Sequence, residues 1–152
     1  MRTPNPKSTA EVAGHPLHPM LIPFPIAFFI TAFLADLAFL AWSDIFWARA
    51  ALWLLGAGLA AAALAAAAGF TDFLGDRRIR ALSDAWMHML ANVAVVLIEA
   101  VNLLLRLGSP EAAAESPGLY LSGAAVLLLG FSGWKGGDLV YRHRVGIPDR
   151  DG

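Results

Sequence analysis

Four stretches of this chain pass the test for crossing a bilayer, which takes about 20 mostly apolar residues. The first runs from Leu21 to Trp42 with Asp36 as its only charge, and the second, Ala50 to Phe70, has none. The third, Ala85 to Leu105, holds Glu99; the fourth, Leu119 to Tyr141, confines Lys135 and Asp138 to its last third. A soluble bundle needs a polar outer face on every helix, and the alanine-rich second run offers none. Only 15% of the 152 residues are charged, against roughly a quarter in soluble domains. The expected fold is all-α: an integral membrane four-helix up-down-up-down bundle in one compact domain.

The organisation follows from the runs. Residues 1–20 form a proline-rich segment, 21–141 the transmembrane domain with helices near 21–42, 50–70, 85–105 and 119–141, and 142–152 a tail. The first twenty residues lack the apolar core of a cleavable signal peptide. Thr71 to Asp84 and Arg106 to Gly118 read as loops, and the turn at Ser43-Asp44 is short. Nine basic residues (Arg2, Lys7, Arg77, Arg78, Arg80, Lys135, Arg142, Arg144, Arg150) fall on one side of this topology and two, Arg49 and Arg106, on the other. Positive charge marks the cytoplasmic side, so both termini are expected there, in the cytoplasmic membrane, with lipid as the main partner. Trp42, Trp47 and Trp53 suit the opposite interface, and Trp86 and Trp134 the cytoplasmic one, where Lys135 is expected to snorkel outward.

A net charge of −1 provides no field to hold nucleic acid. The absence of cysteine excludes disulfides, thiolate metal sites and cysteine-ligated clusters. Any cofactor therefore relies on His, Met or oxygen ligands. All four histidines (His15, His18, His88 and His143) fall on the cytoplasmic side, together with Asp72, Asp84 and Asp138. Imidazole and carboxylate form a metal-competent set, and two imidazoles from different segments ligate haem iron. His88 and His143 are the expected axial pair, with His18 as the substitute; His15, His18, Asp72, His88 and His143 are the candidate metal ligands. Solvated histidines at helix ends also need no ligand at all.

The first two histidines lie in His15-Pro16-Leu17-His18-Pro19-Met20-Leu21-Ile22-Pro23-Phe24-Pro25. Each proline biases its predecessor toward extended geometry, so His15, His18 and Phe24 are expected to be extended, with Pro25 at the first helical position. On the third run His88, Asn92, Val95, Glu99, Asn102 and Arg106 recur at alternating spacings of four and three, which places them on one stripe. Ionisable groups are costly in hydrocarbon, so Asp36 and Glu99 are expected inside the bundle beside Asn92 and Asn102, as helix glue or as a proton path. Either carboxyl has Asn102 or Arg106 as an available partner. Gly58, Ala62 and Ala66 on the second run, and Gly123, Gly130, Gly133 and Gly137 on the fourth, suit close helix approach.

His15-Pro16-Leu17-His18-Pro19 with Pro23-Phe24-Pro25, the Asp36-Leu37 pair, His88 with Asn92, and the ending from Gly133 to His143 together resemble the bacterial membrane proteins grouped as domain of unknown function 2231. The resemblance spans about Gly14 to Gly146. It implies a four-helix membrane protein, and relatives fused to a Rieske iron–sulfur domain imply electron transfer by association. The leading expectation is a membrane protein that binds b-type haem or a redox metal and passes electrons to a redox partner. Two others stand beside it: an enzyme that activates water on a divalent metal, and a non-catalytic accessory or assembly subunit that contacts another membrane subunit through its polar stripe.

Overall fold

The computed structural model describes residues 4–149, so Arg2 and Arg150 of the charge count lie outside it. A short hairpin, β1 (Glu11–Val12) and β2 (His15–Pro16), precedes α1 (Leu17–Leu21) and α2 (Pro23–Trp42). Then follow α3 (Ile45–Gly75), α4 (Arg77–Arg80), α5 (Ser83–Gly108), α6 (Pro110–Glu115) and α7 (Gly118–Tyr141). The described residues are thus mostly helical. Three helical stretches, Leu17–Trp42, Ile45–Gly75 and Ser83–Gly108, are long and apolar enough to cross a membrane. At about 1.5 Å per residue, α3 is longer than the roughly 30 Å hydrocarbon slab, so its ends reach beyond it.

The prolines start helices where extended chain was expected. His18 is helical in α1 and Phe24 in α2, and Pro23, rather than Pro25, takes the first turn's opening position. The physical reason is that first-turn amides have no intrahelical acceptor, so prolines there sacrifice no bond. Ile22 keeps right-handed helical geometry, and its amide bonds the His18 carbonyl, so α1 leads into α2 almost without a break.

The segments read as loops also carry helix. α3 continues through Thr71 to Gly75, and Asp76 then caps α4 by accepting the Arg78 amide at 2.8 Å. At the other end α5 continues through Gly108, Ser109 caps α6, and Pro110 occupies its first turn. Strong N-capping residues and proline at the first position explain both. Arg106 consequently belongs to a helix and not to a loop.

Residue pairs show how the long helices align. Phe29 of α2 meets Gly58 of α3, and Phe39 packs with Ala48, so numbers rise on one helix as they fall on the other. His88 meets Ser132, and Asn102 meets Ser122, giving the same relation for α5 and α7. The central core is Phe29, Ala32, Leu55, Ala62, Val95, Ala125 and Leu129. Large apolar residues such as Leu34, Trp53, Leu64, Leu97 and Leu127 point outward, while Asp36, Glu99, Asn102 and Arg106 are buried. That inversion of the soluble pattern suits a hydrocarbon surround.

The small-residue contacts are partly those expected. A Cβ on Gly58 would sit 2.6 Å from Phe29 Cε1, so only glycine lets the ring in. On α3 the buried alanines are Ala48, Ala51, Ala62, Ala65 and Ala68, with Ala66 half-buried. On α7 Gly130, Gly133 and Gly137 have open space beside them. The inward stripe is instead Ser122, Ala125, Leu129, Ser132 and Gly136, because the α5 polar groups draw the two serines inward as hydrogen-bond partners.

Both described termini lie at one end, with α4. The Gly146 amide bonds the Pro6 carbonyl at 2.9 Å, the Asn5 amide bonds Asp149 Oδ1 at 3.0 Å, and the Lys7 amide bonds Asp76 Oδ2 at 3.1 Å. Asp72 Oδ1 accepts from the Thr9 and Ala10 amides and from the Ser8 hydroxyl. This strap positions His15 and His18. The Arg78 guanidinium holds the Asp76 carboxyl well below the usual carboxylate range, aided by the Arg78 and Lys7 amides, against some desolvation.

Gly58→Val should destabilise the detergent-solubilised protein by about 1–3 kcal/mol, read from thermal unfolding, because the Phe29 ring has to leave its seat. A depressed folded-state carboxyl contributes stability above the ordinary carboxylate pKa of about 4 and loses it as pH falls further. The Lys7 amide resonance of the folded protein should therefore stay constant from neutral pH through the ordinary carboxylate range and move only well below it, and Asp76→Asn should abolish that titration.

Candidate functional site

Two polar clusters occupy opposite ends of the bundle. The distal one, away from the termini, is wholly enclosed: Asp36, Glu99, Asn102, Arg106 and Ser122 are all 0% exposed. Arg106 Nη1 and Nη2 donate to Asp36 Oδ1 and Oδ2, each at 2.7 Å, a bidentate pair joining α5 to α2. Arg106 Nε donates to Asn102 Oδ1 at 3.0 Å. Asn102 Nδ2 donates to Glu99 Oε2 and to Ser122 Oγ, both at 2.9 Å, and Ser122 Oγ donates onward to Asp36 Oδ2 at 3.0 Å. The circuit links α2, α5 and α7. Glu99 Oε1 alone lacks a partner among the buried side-chain polar atoms of the described residues.

Gly118 seals this cluster. A Cβ there would lie 2.6 Å from the Ala113 carbonyl oxygen, 2.7 Å from Asn102 Oδ1 and 2.9 Å from Arg106 Nη2. Only a bare backbone lets α6 and the start of α7 close over the guanidinium. The expected interior placement of Asp36 and Glu99 holds, with Arg106 on the first and Asn102 on the second.

The cluster nearer the termini is built on imidazole. His18 Nδ1 lies 2.8 Å from the Ala65 carbonyl oxygen, and His88 Nδ1 lies 2.9 Å from that of Ser132. A carbonyl only accepts, so in both rings Nδ1 carries the hydrogen and the neutral ring's lone pair is on Nε2. The ring centroids are 6.1 Å apart, with planes at 89°. Asn92 Nδ2 approaches Ser132 Oγ at 2.7 Å, the His88 carbonyl at 2.9 Å and His88 Nε2 at 3.2 Å. Two amide hydrogens serve three acceptors, and the longest contact is the one to His88 Nε2.

The two carbonyls share a local device. Gly69 is four residues beyond Ala65, and Gly136 four beyond Ser132. A helical side chain tilts back over the preceding turn, so glycine at that position uncovers the carbonyl. A Cβ on Gly69 would lie 2.9 Å from His18 Nδ1, and one on Gly136 3.1 Å from His88 Cε1. Each imidazole thus rests on a glycine and bonds the carbonyl it exposes. Sequence reasoning passed over Gly69, Ser122 and Ser132 and read Gly136, with Gly137, as loosening the last turn of a helix that in fact continues to Tyr141; the recurrence of glycine four residues after the bonded carbonyl is the signal that was there to find.

The other sequence-derived residues are placed elsewhere. His143 Nε2 is 2.8 Å from Asp84 Oδ2, and Lys135 Nζ is 2.9 Å from Asp84 Oδ1, so His88 is matched with His18 instead of His143. Lys135 also approaches Asp138 at 3.5 Å, an ion-paired position rather than a snorkelling one. His15 is exposed, with Nδ1 on the Ala13 carbonyl, and Asp72 holds the strap. Among the described residues, no three His, Asp or Glu side chains converge as a metal-binding group.

Long apolar helices with an apolar exterior and ionisable groups turned inward define a helical membrane protein. Residues 14–149 match the family described as Predicted membrane protein (DUF2231), and the chain belongs to that family. No curated protein and no solved structure matches the chain.

Removing one member of a buried ion pair strands the other, at about 3–5 kcal/mol. Arg106→Met should lower stability by that order in detergent unfolding. Asp36→Leu combined with Arg106→Met should lose less than Arg106→Met alone; additive losses would show that the two groups are not coupled.

Proposed function

We propose that this is a cytoplasmic-membrane protein of bacterial type that binds a redox-active metal centre, b-type haem iron or a metal ion, through His18 and His88 and passes electrons to a membrane partner. In this reading four helices, α7 included, cross the bilayer as an up-down-up-down bundle, with both termini cytoplasmic. The orientation rests on Lys7, Arg77, Arg78, Arg80, Lys135, Arg142 and Arg144 at the terminal end, against Arg49 and the buried Arg106 at the other.

The observation that carries the reading is the matched locking of the two imidazoles. Histidines that ligate metals characteristically donate the non-ligating N–H to a backbone carbonyl or carboxylate, which fixes tautomer and ring direction. His18 and His88 both do so, from different helical segments. A redox-active metal ion or haem iron bound here would be held by His18 and His88 and would supply one-electron chemistry. The two rings stand close together, their centroids 6.1 Å apart, which supports assigning them to one bound group. A ligand at His88 Nε2 would displace only the longest of the three Asn92 contacts.

A hydrolytic metal site drawing on His15, Asp72 and His143 as well has less support, since those side chains are engaged apart from the pair. The accessory-subunit reading makes the opposite prediction to ours, an empty protein. Full-length protein purified after haem- and metal-replete expression should show Soret and α bands on dithionite reduction, or near-stoichiometric metal by elemental analysis. His18→Ala and His88→Ala should each remove the signal, and His143→Ala should keep it. Neither bands nor metal, or a signal that survives the first two substitutions, would reject the proposal.

A further inference from the structure

The distal cluster contains two carboxyl groups, Asp36 and Glu99, and one cation, Arg106. The guanidinium gives both terminal nitrogens to Asp36 and its Nε to Asn102, so its charge is matched to the aspartate. Glu99 receives a single hydrogen bond on Oε2, and its Oε1 is buried with no partner. Among the described residues the elements packed around the cluster bring no second buried cation, and Arg49, on α3 at this end, is exposed. α2 contributes Asp36 and α7 the Ser122 hydroxyl, while the buried residues of α3 and α6 are all apolar. Lys135, the half-buried lysine of α7, is engaged with Asp84 and Asp138 at the other end of the bundle.

An ionised carboxylate with one oxygen bare in an apolar interior carries a large desolvation cost. A proton on that oxygen removes the charge and leaves the cluster with one anion, one cation and no net charge. Asp36 is already neutralised by its pair, and the orphaned oxygen belongs to Glu99. We propose that Glu99 is a proton-binding site inside the membrane domain, with Oε1 as the atom that takes the proton. The proton comes from water as hydronium and returns to it, with no change in oxidation state of any group. Asn102 positions the carboxyl through Oε2 and leaves Oε1 free. The site stands about 16 Å along α5 from His88, at about 1.5 Å per residue, so it is separate from the imidazole pair and does not depend on a metal there.

Infrared spectroscopy of the full chain in an ester-free detergent at neutral pH tests this. Ordinary surface carboxyls are ionised there, so a protonated-carboxyl C=O band should report the buried acid. Side-chain ¹³C labelling of glutamate should shift the band, and labelling of aspartate should leave it in place, in the unmodified protein with no variant that must fold. The near-isosteric Glu99→Gln should then abolish it, and deuterium oxide should shift it if Oε1 exchanges its proton with water. A band that moves with aspartate labelling, a band that survives Glu99→Gln, or no such band at neutral pH overturns the proposal.

Discussion

Two parallel hydrogen bonds between the Arg106 guanidinium and the Asp36 carboxylate join α5 to α2 where neither group meets solvent. In an apolar surround each of these charges alone is costly to hold, and together, with matched fork geometry, they become tolerable. The pair therefore acts on position more than on net energy. It requires one rotation and one height of α5 against α2, and Asn102 and Ser122 pass the same requirement to α7. Most packing contacts between apolar helices permit some sliding. This circuit does not, since a shift by one turn would strand a guanidinium.

The other end of the bundle is organised by absence rather than by charge. Gly69 and Gly136 each leave a helix carbonyl uncovered, and each uncovered carbonyl holds one imidazole. Gly58 admits the Phe29 ring by the same means, which draws α2 and α3 together beneath the histidines. α1 packs on α3 and brings His18 to the Ala65 carbonyl, with its ring beside that of His88. A hydrogen-bonded distal end and a glycine-seated pair near the termini divide the molecule into a part that sets register and a part that holds two imidazoles by their Nδ1 atoms.

Much of this was legible in the sequence. The apolar runs marked the membrane helices, and the alternating spacing from His88 to Arg106 put six residues on one stripe of α5. Asp36 and Glu99 had to face inward for the same reason that few other charges occur in those runs. Legibility failed where a side chain's meaning depends on what another segment brings. The loop reading that began at Arg106 ended the helix too early, although the stripe already included Arg106, because α5 continues past the apolar run to Gly108, carried by the buried partner that makes a guanidinium acceptable there. His18 read as extended because of Pro19, although the proline sits in a first turn, where its missing amide costs no bond.

What the sequence by itself determined is a helical membrane protein with its ionisable groups turned inward, since burial of charge in hydrocarbon is too costly to leave any other arrangement. Only the tertiary structure decided the pairings: Asp36 with Arg106, Glu99 with Asn102, His88 with His18 and His143 with Asp84. Hydropathy depends on one segment at a time and survives in the linear order of residues. Hydrogen-bond partnership depends on the relative height and rotation of two helices, and those are settled only when all of them pack at once.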